Sequence, residues 1–450
     1  MMAKPALLLL PLVLRLLSSA LSISIGVNYG TLADNLPPPS QVAAFLKANT
    51  FIDRVKLFDS NPDLIRAFAG TGISLMITVP NGDVPSLAKL PAARTWVANN
   101  VAPFHPATNI SLLAVGNEVM ATADRNLIAH LVPAMRSLSA ALAEAGFPEI
   151  RVSTPHSLGI LSASEPPSSG RFRRGYDRAI FAPMLDFHRG AKTPFVVNPY
   201  PYFGFTEKTL NYALFKPNAG VFDPVTGVNY TDMFDAQLDA VHSAMKRLGY
   251  GDVEIAVGET GWPSVGDPDQ PAVSLENAVS YNGNLIRNVN SGKGTPLMPN
   301  RTFETYIFAL FNEDLKPGPT AERNFGLFKP DLAQVYDVGL MRGGQFAGGG
   351  PAAAPSSSGP PEKWCVAKAD ASAEVLQANI DYSCGSGLVD CGPIQAGGAC
   401  YLPDTLVAHA SFAMNAYYQA AGRHDFNCDF AHTGVLTTDN PSYQNCKYSS

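Results

Sequence analysis

All six cysteines of this chain lie between Cys365 and Cys446, and the 364 residues before them hold none. No other feature constrains the fold as much. A large domain buries enough surface to stand on its own core, while one below about 100 residues in an oxidising compartment relies on cross-links. The even count predicts three disulfides. The gaps of 19, 7, 9, 28 and 18 residues contain no C-x2-C pair, which argues against a zinc site. Spacing alone does not choose among the 15 possible pairings.

The N-terminus agrees with an oxidising destination. Lys4 precedes an apolar run, Ala6 to Leu14, broken only by Pro11, and Ser18 and Ala20 offer a small-x-small cleavage site. Residues 1–20 are therefore expected to be a signal peptide; the run is too short to span a bilayer. No later segment reaches 18 apolar residues, so no membrane span is expected. The end, Lys447-Tyr-Ser-Ser450, lacks the spacer and apolar tail of a lipid-anchor signal. The sequons at Asn109, Asn229 and Asn300 fit a secreted, extracellular protein.

Gly343 to Pro361 contains only Gly, Ala, Pro and Ser apart from Gln345 and Phe346. Such a stretch buries no core and reads as a linker over 343–362. It divides a large domain, 21–342, from a small one, 363–450. Charged residues make up 16% of the chain and the net charge is -6, without basic runs, which excludes a nucleic-acid partner. No cofactor motif or histidine pattern for a metal occurs, and a monomer is expected.

The large domain alternates strand-like runs with helical stretches. The expected strands are 24–29, 54–58, 74–79, 111–116, 149–153, 194–200, 254–258 and 305–311, several of them near-continuous apolar runs, as strands buried on both faces are. Helices are expected over 40–48, with Ser40 as cap, over 127–145, and over 233–248. In the last, Phe234, Leu238, Val241 and Met245 share a face. Eight such units in about 300 residues predict a (β/α)8 TIM barrel. A doubly wound sheet loses its usual motive, since no Gly-rich phosphate loop follows the first strand.

In a barrel the chemistry sits where strands end. The fourth ends Val115-Gly-Asn-Glu118 and the seventh Gly258-Glu-Thr-Gly-Trp-Pro-Ser264. Each puts a glutamate just past a glycine at the end of a buried run, where an unpartnered carboxylate is costly. Two carboxyls at one mouth are what glycosidic cleavage needs, one as acid, the other as nucleophile or base. Asn117 stands where it would bond a sugar hydroxyl. Tyr29 and Tyr200 close strands one and six with a ring and a hydroxyl each. Trp262 is expected to pack beside Glu259 rather than to stack on sugar.

These stretches resemble the plant enzymes of glycoside hydrolase family 17. So do Gly26-Val-Asn-Tyr-Gly30, Leu32-Ala-Asp-Asn-Leu-Pro-Pro-Pro39, Asn198-Pro-Tyr-Pro-Tyr-Phe203 and Phe325-Gly-Leu-Phe328. The resemblance covers about residues 24–340. It implies retaining endo-hydrolysis of β-1,3-glucan, with Glu118 as acid/base, Glu259 as nucleophile, and Glu304 and Glu313 as cleft carboxylates supporting them. A β-1,3-glucanosyltransferase with the same site and a non-hydrolytic glucan-binding wall protein are the rival functions. The small domain, through Lys363-Trp-Cys-Val-Ala, Ile380-Asp-Tyr-Ser-Cys384 and Asn427-Cys-Asp-Phe430, resembles carbohydrate-binding module family 43. That resemblance implies a disulfide-stapled, mostly helical β-1,3-glucan binder with Cys365–Cys428, Cys384–Cys391 and Cys400–Cys446 paired.

Overall fold

Strands β1 (Ile25–Tyr29), β2 (Ile52–Leu57), β3 (Ser74–Val79) and β4 (Asn109–Val115) pair in parallel with their sequence neighbours. In this computed structural model, which describes residues 23–342 and 363–449 apart from 387, 422, 424 and 444, they form half of a barrel. The expected signal peptide and linker lie outside the described residues.

The fifth barrel position is split at Thr154. Its first half, β5 (Arg151–Ser153), pairs with β4; its second, β6 (Pro155–Ser157), pairs with β7 (Phe195–Asn198). Strands β8 (Ile255–Thr260) and β9 (Thr305–Ile307) carry the sheet back to β1. The order β5-β4-β3-β2-β1-β9-β8-β7-β6 closes through the break, so eight barrel positions are made from nine strands. The eighth is shorter than expected: after Ile307 the chain leaves the ladder, and Phe311 makes only an isolated bridge to Phe328.

Alternation along the strands separates two layers. Val55, Leu57, Leu75, Ile77, Leu113 and Val115 face the helices and form the main core; Met76, Leu112, Ala114 and Tyr306 fill the barrel itself. The helices include α1 (Pro39–Asn49), α2 (Pro62–Ala67), α3 (Leu90–Asn100), α4 (Arg125–Glu144), α5 (Ala182–Ala191), α6 (Met233–Arg247) and α7 (Leu275–Asn290). All four residues read as one face of α6 are buried. The expected Ser40 cap is corrected: α1 starts at Pro39, a residue with no N–H to satisfy, and no side chain caps it.

In the small domain α8 (Ala373–Gly385) packs on α9 (Leu406–Ala420), which packs in turn on an antiparallel ribbon of β10 (Trp364–Ala367) and β11 (Gly434–Thr437). Cys365–Cys428 ties the ribbon to the turn after α9, Cys384–Cys391 closes the end of α8, and Cys400–Cys446 anchors the C-terminal stretch. These are the pairs that the resemblance implied. The core they surround is small, built around Leu376, Met414, Tyr417, Tyr418 and Phe430. Among the described residues, no helix is long and apolar enough to cross a membrane.

Candidate active site

The turn after β4 is held in an unfavourable shape. Gly116 has φ +68°, and a Cβ there would come within 2.5 Å of Val119. Glu118 itself is left-handed, with φ 52° and ψ 35°, uncommon for a residue with a side chain. Asn81 fixes the turn from both sides, accepting from Asn117 N at 2.8 Å and donating to Asn117 O at 3.1 Å. Glu118 N donates to Pro155 O at 3.0 Å, across the break in the fifth strand. Surroundings that over-determine a strained residue are typical of functional sites.

Glu259 reaches the interior through an irregularity. Val257 faces the helix layer, and Thr260 bonds the Tyr281 hydroxyl on α7, so both point outward. The register with β9 shifts between them, which turns Glu259 inward. Gly258 leaves room for the approach of β7: a Cβ would stand 2.7 Å from Val196. Asn28, inside the barrel, holds this bend by donating to Gly258 O at 2.9 Å.

Glu259 is 7% exposed and both its oxygens are engaged. Lys56 Nζ donates to Oε1 at 2.7 Å and Tyr200 Oη to Oε2 at 3.1 Å. Lys56, fully buried, also donates to Asn117 Oδ1 at 3.0 Å and so bridges the two strand ends. Glu118 accepts one hydrogen bond, from Asn198 Nδ2 to Oε1 at 2.9 Å. Burial and the nearby charge of Glu259 push the Glu118 carboxyl above the usual range, against the pull of Asn198 and Lys56.

A cavity of about 1060 Å³ opens over these groups. Of the residues singled out from the sequence, Asn117, Glu118, Tyr200, Glu259 and Glu313 line it. Glu313 is raised by burial, although Leu32 N donates to its Oε1 at 2.9 Å. Its carboxylate lies on Gly30, where a Cβ would meet Oε1 at 2.3 Å, so a side chain at position 30 would push the carboxylate aside. Trp262 is fully buried, donating to Ala272 O at 3.0 Å within a ring cluster of Tyr202, Phe205 and Tyr281.

Two expected site residues lie elsewhere. Tyr29 follows Val27 in the outward alternation and packs edge-on against Phe311, 2% exposed and outside the cavity lining. Glu304 stands at the start of β9, at the opposite end of the barrel from the cavity. There it pairs with Arg151 at 2.9 Å and accepts from Tyr306 Oη at 2.9 Å. Burial alone would raise its carboxyl, but Arg151 and Tyr306 outweigh it and hold it below the usual range.

Several lining or contacting groups were not foreseen. Lys56 has a legible signal, a cation between the buried apolar residues Val55 and Leu57. Asn198 stood inside a quoted motif without a role. Lys316, over the Phe308 ring at 4.1 Å and paired with Glu322 at 3.0 Å, comes from a loop where no periodicity points inward. The sequons at Asn109, Asn229 and Asn300 are all exposed.

A parallel barrel with two glutamates converging on an open, aromatic-walled mouth has the architecture of a barrel glycoside hydrolase. The family model for glycosyl hydrolases family 17 matches residues 25–340, and that for the X8 domain residues 363–435. The chain is 54% identical to a Triticum aestivum glucan endo-1,3-beta-glucosidase over 96% of each chain. It is 49% identical to the Arabidopsis thaliana glucan endo-1,3-beta-glucosidase 7, over 94% of this chain and 84% of that one. Among solved structures it is similar to CJP38, a beta-1,3-glucanase and allergen of Cryptomeria japonica pollen. That similarity has a TM-score of 0.66 at 41% identity, covering 70% of this chain and 98% of the other. The chain belongs to glycosyl hydrolases family 17 and carries a C-terminal X8 domain.

Proposed function

We propose that the barrel is a retaining endo-1,3-β-glucanase in which Glu259 attacks the anomeric carbon and Glu118 serves as acid and then base. The observation that carries this reading is the unequal company of the two carboxyls. Glu259 accepts at both oxygens, one bond coming from an ammonium, the pattern of an ionised group. Glu118 accepts one bond, from a neutral amide, and is pushed toward its protonated form. A proton on its other oxygen is available to the leaving sugar oxygen. Family membership and the named relatives support the β-1,3-glucan substrate.

In the first step the Glu259 carboxylate forms a glycosyl ester while Glu118 gives up its proton. In the second, Glu118 takes a proton from water, and that water releases the sugar. Asn117, fixed by Lys56, faces the cavity where a substrate hydroxyl would bind. The open cavity of about 1060 Å³ suits cutting within a chain. The X8 domain would hold β-1,3-glucan beside the barrel. Its disulfides support a secreted, extracellular protein.

Retention requires carboxyls about 5–5.5 Å apart, against roughly 6.5–9.5 Å for inversion. NMR of the first product from a defined β-1,3-gluco-oligosaccharide should show the β-anomer before mutarotation. An α-anomer at early times would overturn the two-step route. The same assay reads transfer products, which separates hydrolysis from glucanosyl transfer.

A further inference from the structure

The C-terminal end of a helix is the negative end of its backbone dipole and leaves carbonyls without partners inside the helix. A lysine, arginine or histidine in the last turn can meet both needs. The last turns of α8 and α9, the two long helices of the X8 domain, hold no basic residue. The barrel supplies the cations instead. Lys293 Nζ donates to the carbonyl of Ser386, the residue that ends α8, at 2.6 Å. Arg287 donates to the carbonyl of Ala421, the residue that ends α9, at 3.3 Å. Ala421 O has a second donor in Asn427 Nδ2 at 2.8 Å.

Both cations come from one barrel element. Arg287 stands in the last turn of α7, and Lys293 lies just beyond its end at Asn290. Three helix ends of like sign therefore meet here, each worth about half a negative charge. Bare, they would repel; with two full positive charges among them they attract. Neither cation forms an ion pair among the described residues. Asp235, near enough to feel the Lys293 charge, accepts instead from Asn288 Nδ2 at 3.1 Å. Asn284 Oδ1 accepts from Arg287 at 2.6 Å and so aims it.

A third contact lies alongside. Phe215 is left-handed, with φ 56°, a conformation that costs energy for an aromatic residue. Its ring is buried in the barrel beside Phe234 and Tyr281, while its carbonyl accepts from Tyr382 Oη of α8 at 2.9 Å. Tyr382 accepts in turn from Tyr417 Oη of α9 at 2.9 Å, so one barrel carbonyl ties both X8 helices. The turn itself is held by α7: Leu214 O accepts from Ser280 Oγ and from Asn284 Nδ2, each at 3.2 Å.

We propose that this end of α7 is a docking surface for the chain's own X8 domain, with Arg287 and Lys293 capping the two X8 helices across the domain boundary. The two domains then form one rigid body, rather than two joined only by the chain between residues 342 and 363. Arg287, Lys293 and Phe215 do not line the catalytic cavity, and the inference stands independently of the glucanase reading. What docking adds is orientation. The short helix Leu210–Ala213 puts Tyr212 on the cavity wall and leads directly into Phe215, so the X8 domain is anchored to the same loop that walls the mouth.

Small-angle X-ray scattering of the full chain tests this. Arg287→Ala with Lys293→Ala should raise the radius of gyration by about a tenth or more, as the small domain moves off the large one. Arg287→Lys with Lys293→Arg should keep the parent's radius, because both positive charges stay in place. Lys293→Glu should open the pair by itself, since it sets a negative charge among three negative helix ends. Lys293 is exposed, so this substitution disturbs no barrel packing and its effect is not one of unfolding. A radius equal to the parent's in either the double alanine variant or Lys293→Glu overturns the proposal, whether the chains are all compact or all extended.

Discussion

The two ends of this barrel hold glutamates in opposite company. At the mouth, Glu118 is half-buried against another carboxylate and has one neutral donor, so burial and that charge raise its carboxyl above the usual range. At the base, Glu304 is as deeply set but faces Arg151 and the Tyr306 hydroxyl, so its charge is held on. The same residue type at ends of the same sheet thus has its pKa raised in one place and lowered in the other. Partner, not burial, makes the difference. A glutamate at a strand end is therefore a functional candidate only if its local partners leave it work to do.

The largest expected effect breaks the mouth. Glu259→Gln should lower kcat by at least about 10³-fold, since the covalent route is lost, while substrate binding survives. Glu118→Gln should cost about 10²–10⁴-fold, less for substrates with good leaving groups, which need no acid. Near-normal turnover by either variant would refute its role. Activity that depends on a proton on Glu118 is present at low pH and falls as pH rises through its raised pKa. In Glu118→Gln that alkaline limb should vanish from the residual kcat profile.

The base should respond in stability instead. Glu304→Gln leaves Arg151 without its charge partner and should destabilise the fold by about 2 kcal/mol, allowing for partial exposure. Turnover per folded molecule should stay within about two-fold, since the residue is remote from the cavity. The pH signs of the two ends are opposite. Glu304, with its pKa depressed on folding, contributes stability that is present above the unfolded value and lost as pH falls through the folded one. Glu118, with its pKa raised, contributes stability that is lost as pH rises through its folded value. Melting curves of the single variants across pH 3–8 check this: the deficit of Glu304→Gln should shrink toward acid. A constant deficit would mean that the Arg151 pair is not its source.

Much of this was legible. The cysteine split sets a barrel without cysteines apart from a small domain with three disulfides, and the apolar runs located the eight barrel positions. What failed did so for local reasons. The break at Thr154 and the short β9 depend on how the barrel closes, which no single run encodes. Ser40 was chosen as a cap from its residue type, but Pro39 needs none. Lys56 lies within the strand-like run 54–58, and residue type alone does not separate an inward cation from an exposed one there. Glu259, by contrast, was found despite its strand: simple alternation from Val257 would place it outward, and only the register shift brings it in. Glu304 was credited through resemblance, although its position before a strand puts it at the wrong end of a barrel for chemistry.

The smallest effect sharpens the comparison within one residue type. Tyr29 and Tyr200 both close a strand, and both were expected at the mouth. Tyr200 Oη donates to Glu259 Oε2, and burial with that neighbouring charge raises its phenol well above the ordinary value, so it stays a donor. Tyr29 is pushed up to about 12 by burial, but it packs in the outward layer against Phe311. Removing a hydroxyl that bonds a charged acceptor typically costs about 1.5–3 kcal/mol, so Tyr200→Phe should lower kcat/KM at least about ten-fold with little change in melting temperature. Tyr29→Phe should leave kcat/KM within about two-fold and stability within about 1 kcal/mol. Alternation decides this outcome: Val27 and Tyr29 share a face, and Asn28 between them is the residue that points inward and bonds Gly258 O. Kinetics of the two variants side by side test it, and a loss at Tyr29→Phe equal to that at Tyr200→Phe would return Tyr29 to the mouth.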